Sequence, residues 1–300
     1  MNASSNATMP KDGENIADEP DQDVNASCFR MLEDIAKELA GEVVFPTCFD
    51  AAFRLRQELQ NPQLPTARIA RIVSVEPLVA TKLMHLANSA FYRRHGGAPA
   101  NDLQAAISRL GVDLVRTTAL AVAMGQLLRS KALVSFRDFT RELWTHSLKA
   151  AAASRILARV HTRINPDEAL LAGLVHDLGA FYMLYRAVQY AELRARPDAL
   201  RLLIRQWHES IGVTLLNALG MPDEIVQATI DHDQPRHLVT PVRTLADVVY
   251  VGNIIAATHF EWLHQDFDVD DGEAGIVRQN FAELLPEIDK DTAEMQAVFS

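Results

Sequence analysis

Imidazole and carboxylate groups are the usual protein ligands of a hydrolytic metal ion. They meet here in EALLAGLVHDLGA, Glu168 to Ala180, where His176 and Asp177 stand side by side in an apolar helical run that Gly179 is expected to close. Burying such a pair is costly unless it is paired or ligated. A His–Asp hydrogen bond that holds helices together would meet that cost. So would a metal ion, given more ligands from elsewhere in the chain.

Other polar residues in apolar surroundings supply those candidates. His146 shares a helix face with Leu143, Ala150 and Ala153; His208 lies near Trp207 and Ile211. His232 and Asp233 end a helix before a proline-bracketed loop, and Asp247 sits within the apolar TLADVVYVGNIIAA. Helices that each project one ligand inward build the metal sites of helical bundles. This donor set lacks thiolate and suits Mg, Mn, Fe or Zn. His85, His95, His161, His237, His259 and His264 have no such company. No G-x-S-x-G, Walker loop, G-x-G-x-x-G or H-E-x-x-H occurs. Arginines at Arg93, Arg94, Arg109, Arg116 and from Arg194 to Arg205 read as solvated helix surface.

The elements that must position these residues are helical. Phe29, Leu32, Ile35, Ala36 and Leu39 recur at three- and four-residue steps, and Gly41 stops that helix. Pro77 suits a helix first turn, a long helix is expected over about Phe136–Val160, and Pro197 breaks two further helical stretches. The alanines Ala150 to Ala153 suggest a close helix–helix contact. A core helix is expected over about Thr244–Trp262, and two short helices over Ala274–Val298. No stretch alternates with period two, so the fold class is all-α: a multi-helix bundle of two packed halves. The expected organisation is an acidic disordered tail (1–27), one domain (28–264) made of an N-terminal helical half (28–132) and a half that carries the candidate ligands (133–264), and a helical C-terminal extension (265–300).

Hydrophobic residues make up 48% of the 300 residues, enough for a sizeable core. A net charge of −10 argues against a general nucleic-acid coat. Cys28 and Cys48 form no ligand spacing and read as ordinary thiols of a reducing compartment. No apolar run is long enough to span a bilayer, and the N-terminus does not resemble a signal peptide, so a cytoplasmic location is expected.

The order His146, His176-Asp177, Asp247 resembles the H…HD…D signature of the HD superfamily of metal-dependent phosphohydrolases. More specifically, the chain resembles the HDOD domain, the HD-related output domain of bacterial signalling proteins. The resemblance runs from about Val43 to Ala257. It rests on KLMHLANSAFY (Lys82–Tyr92), AISRLGVDLVRTTAL (Ala106–Leu120), Trp144-Thr145-His146-Ser147, AGLVHDLG (Ala172–Gly179) and the stretch His208–Asp233. It implies that His146, His176, Asp177 and Asp247 hold one metal, and that His208 and His232 are further ligands of a second. Two features depart from the active two-metal relatives. His232-Asp233 replaces adjacent histidines, and Ala180 replaces a lysine that would meet a phosphate. The resemblance implies a regulatory module, acting by contact with a signalling protein and able to retain a metal or nucleotide. The alternative it leaves open is a metal-dependent phosphohydrolase, in which Asp177 would be the catalytic-site residue.

Overall fold

Among the described residues every regular element is a helix and no strand occurs. The computed structural model describes residues 19–41, 47–61, 63–93, 98–234, 241–256 and 273–299. In chain order the α-helices are α1 (Glu19–Ala40), α2 (Asp50–Glu58), α3 (Thr66–Ser74), α4 (Pro77–Ala87) and α5 (Leu103–Leu110). Next come α6 (Val112–Leu128), α7 (Arg137–His161), α8 (Pro166–Val175), α9 (Leu178–Ala187) and α10 (Ala191–Ala195). The last are α11 (Pro197–Ala218), α12 (Asp223–Ala228), α13 (Leu245–Ala256), α14 (Glu273–Asn280) and α15 (Leu285–Phe299).

Local chemistry sets most helix ends. Proline occupies the first turn of α4, α8 and α11, where its missing N–H costs nothing. Pro197 therefore opens α11 rather than merely separating two helices. Asp102 accepts from the Ala105 amide at the start of α5, and Asn165 accepts from the Asp167 amide at the start of α8. Gly111, at φ 81°, makes the left-handed corner between α5 and α6. Asn88 closes the loop after α4: its side chain donates to the Ala100 carbonyl at 3.0 Å and accepts from the Ala100 amide at 2.8 Å.

α7 is the central strut. Its Ala150–Ala153 run is fully buried and gives the close contact that the alanines suggest. α8 and α13 lie against it through glycine. A Cβ on Gly173 would stand 2.7 Å from Ser154 Oγ, and one on Gly252 2.5 Å from the same atom. The neighbouring helices can approach only because both positions lack a side chain.

Two boundaries differ from expectation. α1 begins at Glu19, well ahead of Cys28, because Val24, Ser27, Met31 and Ile35 form one buried stripe that the acidic stretch disguises. Residues 1–18 of the expected tail lie outside the described residues, as do the Ala257–Trp262 end of the expected core helix and residues 265–272. The C-terminal helices are part of the body. α15 packs on α7, α4 and α6 and buries Ile288, Asp291, Met295, Val298 and Phe299.

Candidate metal centre

The chain interrupts its own helix at the chemistry. α8 ends at Val175, the backbone turns through His176 and Asp177, and α9 restarts at Leu178. Gly179 therefore does not close the run, as its type suggests; it lies inside α9. A Cβ there would stand 1.8 Å from the His208 carbonyl oxygen and 2.6 Å from the Gly212 amide nitrogen. α9 and α11 thus cross backbone against backbone, which sets His208 beside Asp177. Gly179→Ala is expected to cost at least about 1–3 kcal/mol, the usual range for overpacking, because rigid backbone must yield. A denaturant titration would read it, and an unchanged midpoint would refute the crossing.

His146 comes from α7, and His232 follows α12. Asp231, just before His232, takes φ 56°, a left-handed conformation that aspartate tolerates better than most residues. That turn directs two consecutive side chains, His232 and Asp233, toward the same centre.

The five side chains His146, His176, Asp177, His208 and His232 are each at most 3% exposed. Asp177 lies between two histidine pairs. Its Oδ2 is 3.4 Å from His146 Nε2 and 3.2 Å from His176 Nε2. Its Oδ1 is 3.5 Å from His208 Nε2 and 3.3 Å from His232 Nε2. Within the pairs, His146 and His176 Nε2 are 3.1 Å apart, and His208 and His232 Nε2 are 3.3 Å apart. Ligand atoms about 2.1 Å from a first-row ion stand about 3.0–3.4 Å from one another in octahedral or tetrahedral geometry. Among the described residues two groups therefore have the spacing to hold an ion: His146, His176 and Asp177, and Asp177, His208 and His232.

Hydrogen bonds on the far side of the rings decide what those nitrogens present. His176 Nδ1 donates to the Gly173 carbonyl at 2.8 Å, His208 Nδ1 to Ile204 at 2.8 Å and His232 Nδ1 to Thr229 at 2.7 Å. In its neutral form each of these rings would then turn an Nε2 lone pair inward. His208 and His232 would oppose two lone pairs at 3.3 Å unless a cation or a proton lay between them. Asp177 Oδ2 is buried yet accepts no hydrogen bond among the described residues. The residues fit a divalent ion at each position.

In the ion-free protein, protons take that role. Burial works against a charged His232, but the Asp233 and Asp177 carboxylates outweigh it and push its pKa up to about 10. His208 is also raised: burial opposes the shift, and Asp233 and Asp177 reverse it. Burial would push the Asp177 carboxyl up, but His176, His232 and His146 hold it well below the usual carboxylate range. A histidine raised in the folded state stabilises it fully below the unfolded value of 6.5, and that gain is lost as pH rises toward 10. The depressed Asp177 works at the other end, its stabilisation present above about pH 4 and lost as pH falls through its folded value. Ion binding requires neutral imidazoles and displaces these protons. Thermal melts in EDTA should therefore weaken from pH 6.5 toward 10, while the stabilisation by added Mn(II) grows over the same window. Parallel curves with and without metal would refute the exchange.

The two remaining carboxylates differ in placement. Asp247 Oδ2 accepts from the amides of Thr244 at 3.0 Å and Arg243 at 3.3 Å, capping the start of α13, and Asp247 is in neither ligand group. Asp233 is likewise in neither ligand group but stands beside the centre, with Oδ2 3.2 Å from His208 Nε2. Buried Asn253 donates to Asp233 Oδ1 at 2.8 Å and to the His232 carbonyl at 3.1 Å. The replacement of a second histidine by Asp233 was the sequence signal for this carboxylate; Asn253, one polar residue in an apolar helix, gave little.

Residues 45–235 match the family model of the HDOD domain. The chain belongs to the HDOD family. Its fold is shared with a Shewanella amazonensis SB2B structure provisionally named a metal-dependent phosphohydrolase, at TM-score 0.71 and 22% identity over 92% of this chain and 100% of that one. A Geobacter sulfurreducens HDOD domain protein of unknown function matches at TM-score 0.54 and 19% identity, over 90% of this chain and 98% of that one. A Marinobacter aquaeolei VT8 structure provisionally named a signal transduction protein matches at 0.52 and 21%, over 96% and 68%. Among curated proteins, an uncharacterized protein of Treponema pallidum (strain Nichols) is 22% identical over 214 residues, 67% of this chain; the match spans 40% of that relative's length. Helices α13 and α15 lie beyond the residues that the family model matches.

Proposed function

We propose that this chain is a regulatory HDOD module of the cytoplasm that acts by contact with a signalling protein and holds divalent metal in its core. The observation that carries this reading is burial. Every side chain of the two ligand groups is at most 3% exposed, whereas a catalytic metal keeps one position open to substrate. Ala180, in the first turn of α9, is also buried and brings no charge with which to meet a phosphate. The ion would tie α7, α9, α11 and the turn after α12 together, so metal occupancy would set how rigidly this half presents its surface. Elemental analysis of the purified protein, with hydrogen exchange before and after chelation, tests the reading. Metal near two ions per chain and loss of protection across α7–α12 on chelation are expected. Metal-free protein with unchanged protection after Mn(II) addition would reject it.

A metal-dependent phosphohydrolase is the second reading, and the bridging position of Asp177 favours it. One carboxylate facing two ligand pairs is suited to a two-ion centre. There, bound ions lower the pKa of water and polarise a phosphoryl oxygen. Asp177 and the four histidines would hold the ions. Hydrolysis of a phosphodiester or nucleotide that disappears in Asp177→Asn would establish this reading over the first; no turnover by Mn(II)-loaded protein would remove it.

A further inference from the structure

The geometry points to Asp233 as a fourth ligand of the ion position formed by Asp177, His208 and His232, making that position a two-histidine, two-carboxylate site, harder than the position beside His146 and His176. This rests on reading the buried centre as a metal site. Asp233 Oδ2 is 3.2 Å from His208 Nε2, and Oδ1 is 3.7 Å from His232 Nε2. Its side chain is only 14% exposed, so it does not simply face solvent. Asn253 holds it there, donating to Oδ1 and leaving Oδ2 directed at His208. The same amide fixes the His232 carbonyl, so the two consecutive residues are oriented by one group on α13. A donor set of two imidazoles and two carboxylates is harder than one rich in imidazole, so it narrows the lead that Zn(II) holds over Mn(II) at nitrogen ligands. The other position, with His146, His176 and Asp177, has one carboxylate and two imidazoles. The two positions of one centre would then differ in ion preference, and Asn253 is a positioning residue for the harder one.

Full-length protein, stripped with EDTA and titrated with Mn(II) or Zn(II) alone, tests this. The wild type should take up two Mn(II) and show the EPR spectrum of a coupled pair. Asp233→Asn, which keeps the shape and removes the charge, should weaken one Mn(II) site by more than about tenfold and leave the six-line signal of an isolated ion. Asp233→His should strengthen Zn(II) binding relative to Mn(II) binding, raising the Zn(II)-to-Mn(II) affinity ratio by at least about tenfold. Asn253→Ala should weaken the same Mn(II) site about 10–100-fold. The ion retained beside His146 and His176 reports that each variant has folded. A coupled pair that persists in Asp233→Asn, or an affinity ratio unchanged in Asp233→His, would overturn the assignment of Asp233 while leaving the metal centre standing. Wild-type protein that binds neither ion would overturn both.

Discussion

Asp177→Ala is expected to abolish stoichiometric metal uptake at both positions, whereas loss of any single histidine should weaken only its own. The reason is topological. Asp177 Oδ2 faces His146 and His176 and Oδ1 faces His208 and His232, so among the described residues this side chain alone belongs to both groups. Its removal also leaves four buried imidazoles crowded together and takes from His208 and His232 one of the two carboxylates that stabilise their protonated forms. Breaking a buried ion pair by deleting one partner costs about 3–5 kcal/mol. The metal-free variant should lose stability in that range near neutral pH. Because Asp177 helps to raise His208 and His232, both should titrate at lower pH in Asp177→Ala. Three readouts separate the causes. Metal analysis gives the stoichiometry, a urea titration gives the stability, and histidine ring NMR gives the titration. Retention of one ion by Asp177→Ala would mean that the two groups do not share their carboxylate.

The ligand types were legible in the sequence because buried imidazole and carboxylate groups are conspicuous in apolar helices. His146, His176, Asp177, His208 and His232 stood out by that contrast, and the structure gathers them. Asp247 stood out in the same way, but contrast alone does not distinguish a ligand from a cap. Its carboxylate answers the exposed amides at the start of α13, a demand created by a helix boundary that hydropathy leaves vague. Gly179 suggests a terminator, since glycine commonly ends helices. Its actual role depends on how closely α11 approaches, a distance that no local pattern encodes. The same holds for Gly173 and Gly252 against Ser154. The all-α class followed from the absence of period-two alternation, a property of whole segments that survives errors at their ends. The start of α1 is not legible in the sequence because its buried stripe continues through an acidic stretch whose mean composition resembles that of a solvated tail. The packing of the C-terminal helices was not legible either, because it turns on one arginine that composition would leave at the surface.

That arginine is Arg155, and its loss should rank with that of Asp177 in cost. Arg155 lies on α7 and is 1% exposed. Its Nε donates to Asp291 Oδ2 at 3.1 Å, its Nη2 bonds both Asp291 oxygens, and its Nη1 donates to the Tyr92 hydroxyl at 2.9 Å. The guanidinium lies 3.8 Å from the Phe91 ring centroid, and the Tyr92 hydroxyl donates to Asp167 Oδ1 at 2.8 Å. One cation thereby joins the loop after α4, the start of α8 and α15. Burial alone would lower its pKa, but Tyr92 and Asp291 outweigh that and keep it charged. Arg155→Met would leave the Asp291 carboxylate, 4% exposed, without its counter-charge. The expected cost is about 3–5 kcal/mol, with Asp291→Leu similar, while the double variant should recover much of it because a buried pair can be replaced by apolar packing. The coupling energy of that cycle, from chemical denaturation, is the measurement. Mn(II) stoichiometry should stay at two in the folded single variants, since Asp167 lies at the end of α8 opposite His176. Additive costs in the double variant would show that Arg155 and Asp291 are stabilised independently. Loss of metal in Arg155→Met would show instead that the α15 clamp and the centre form one cooperative unit.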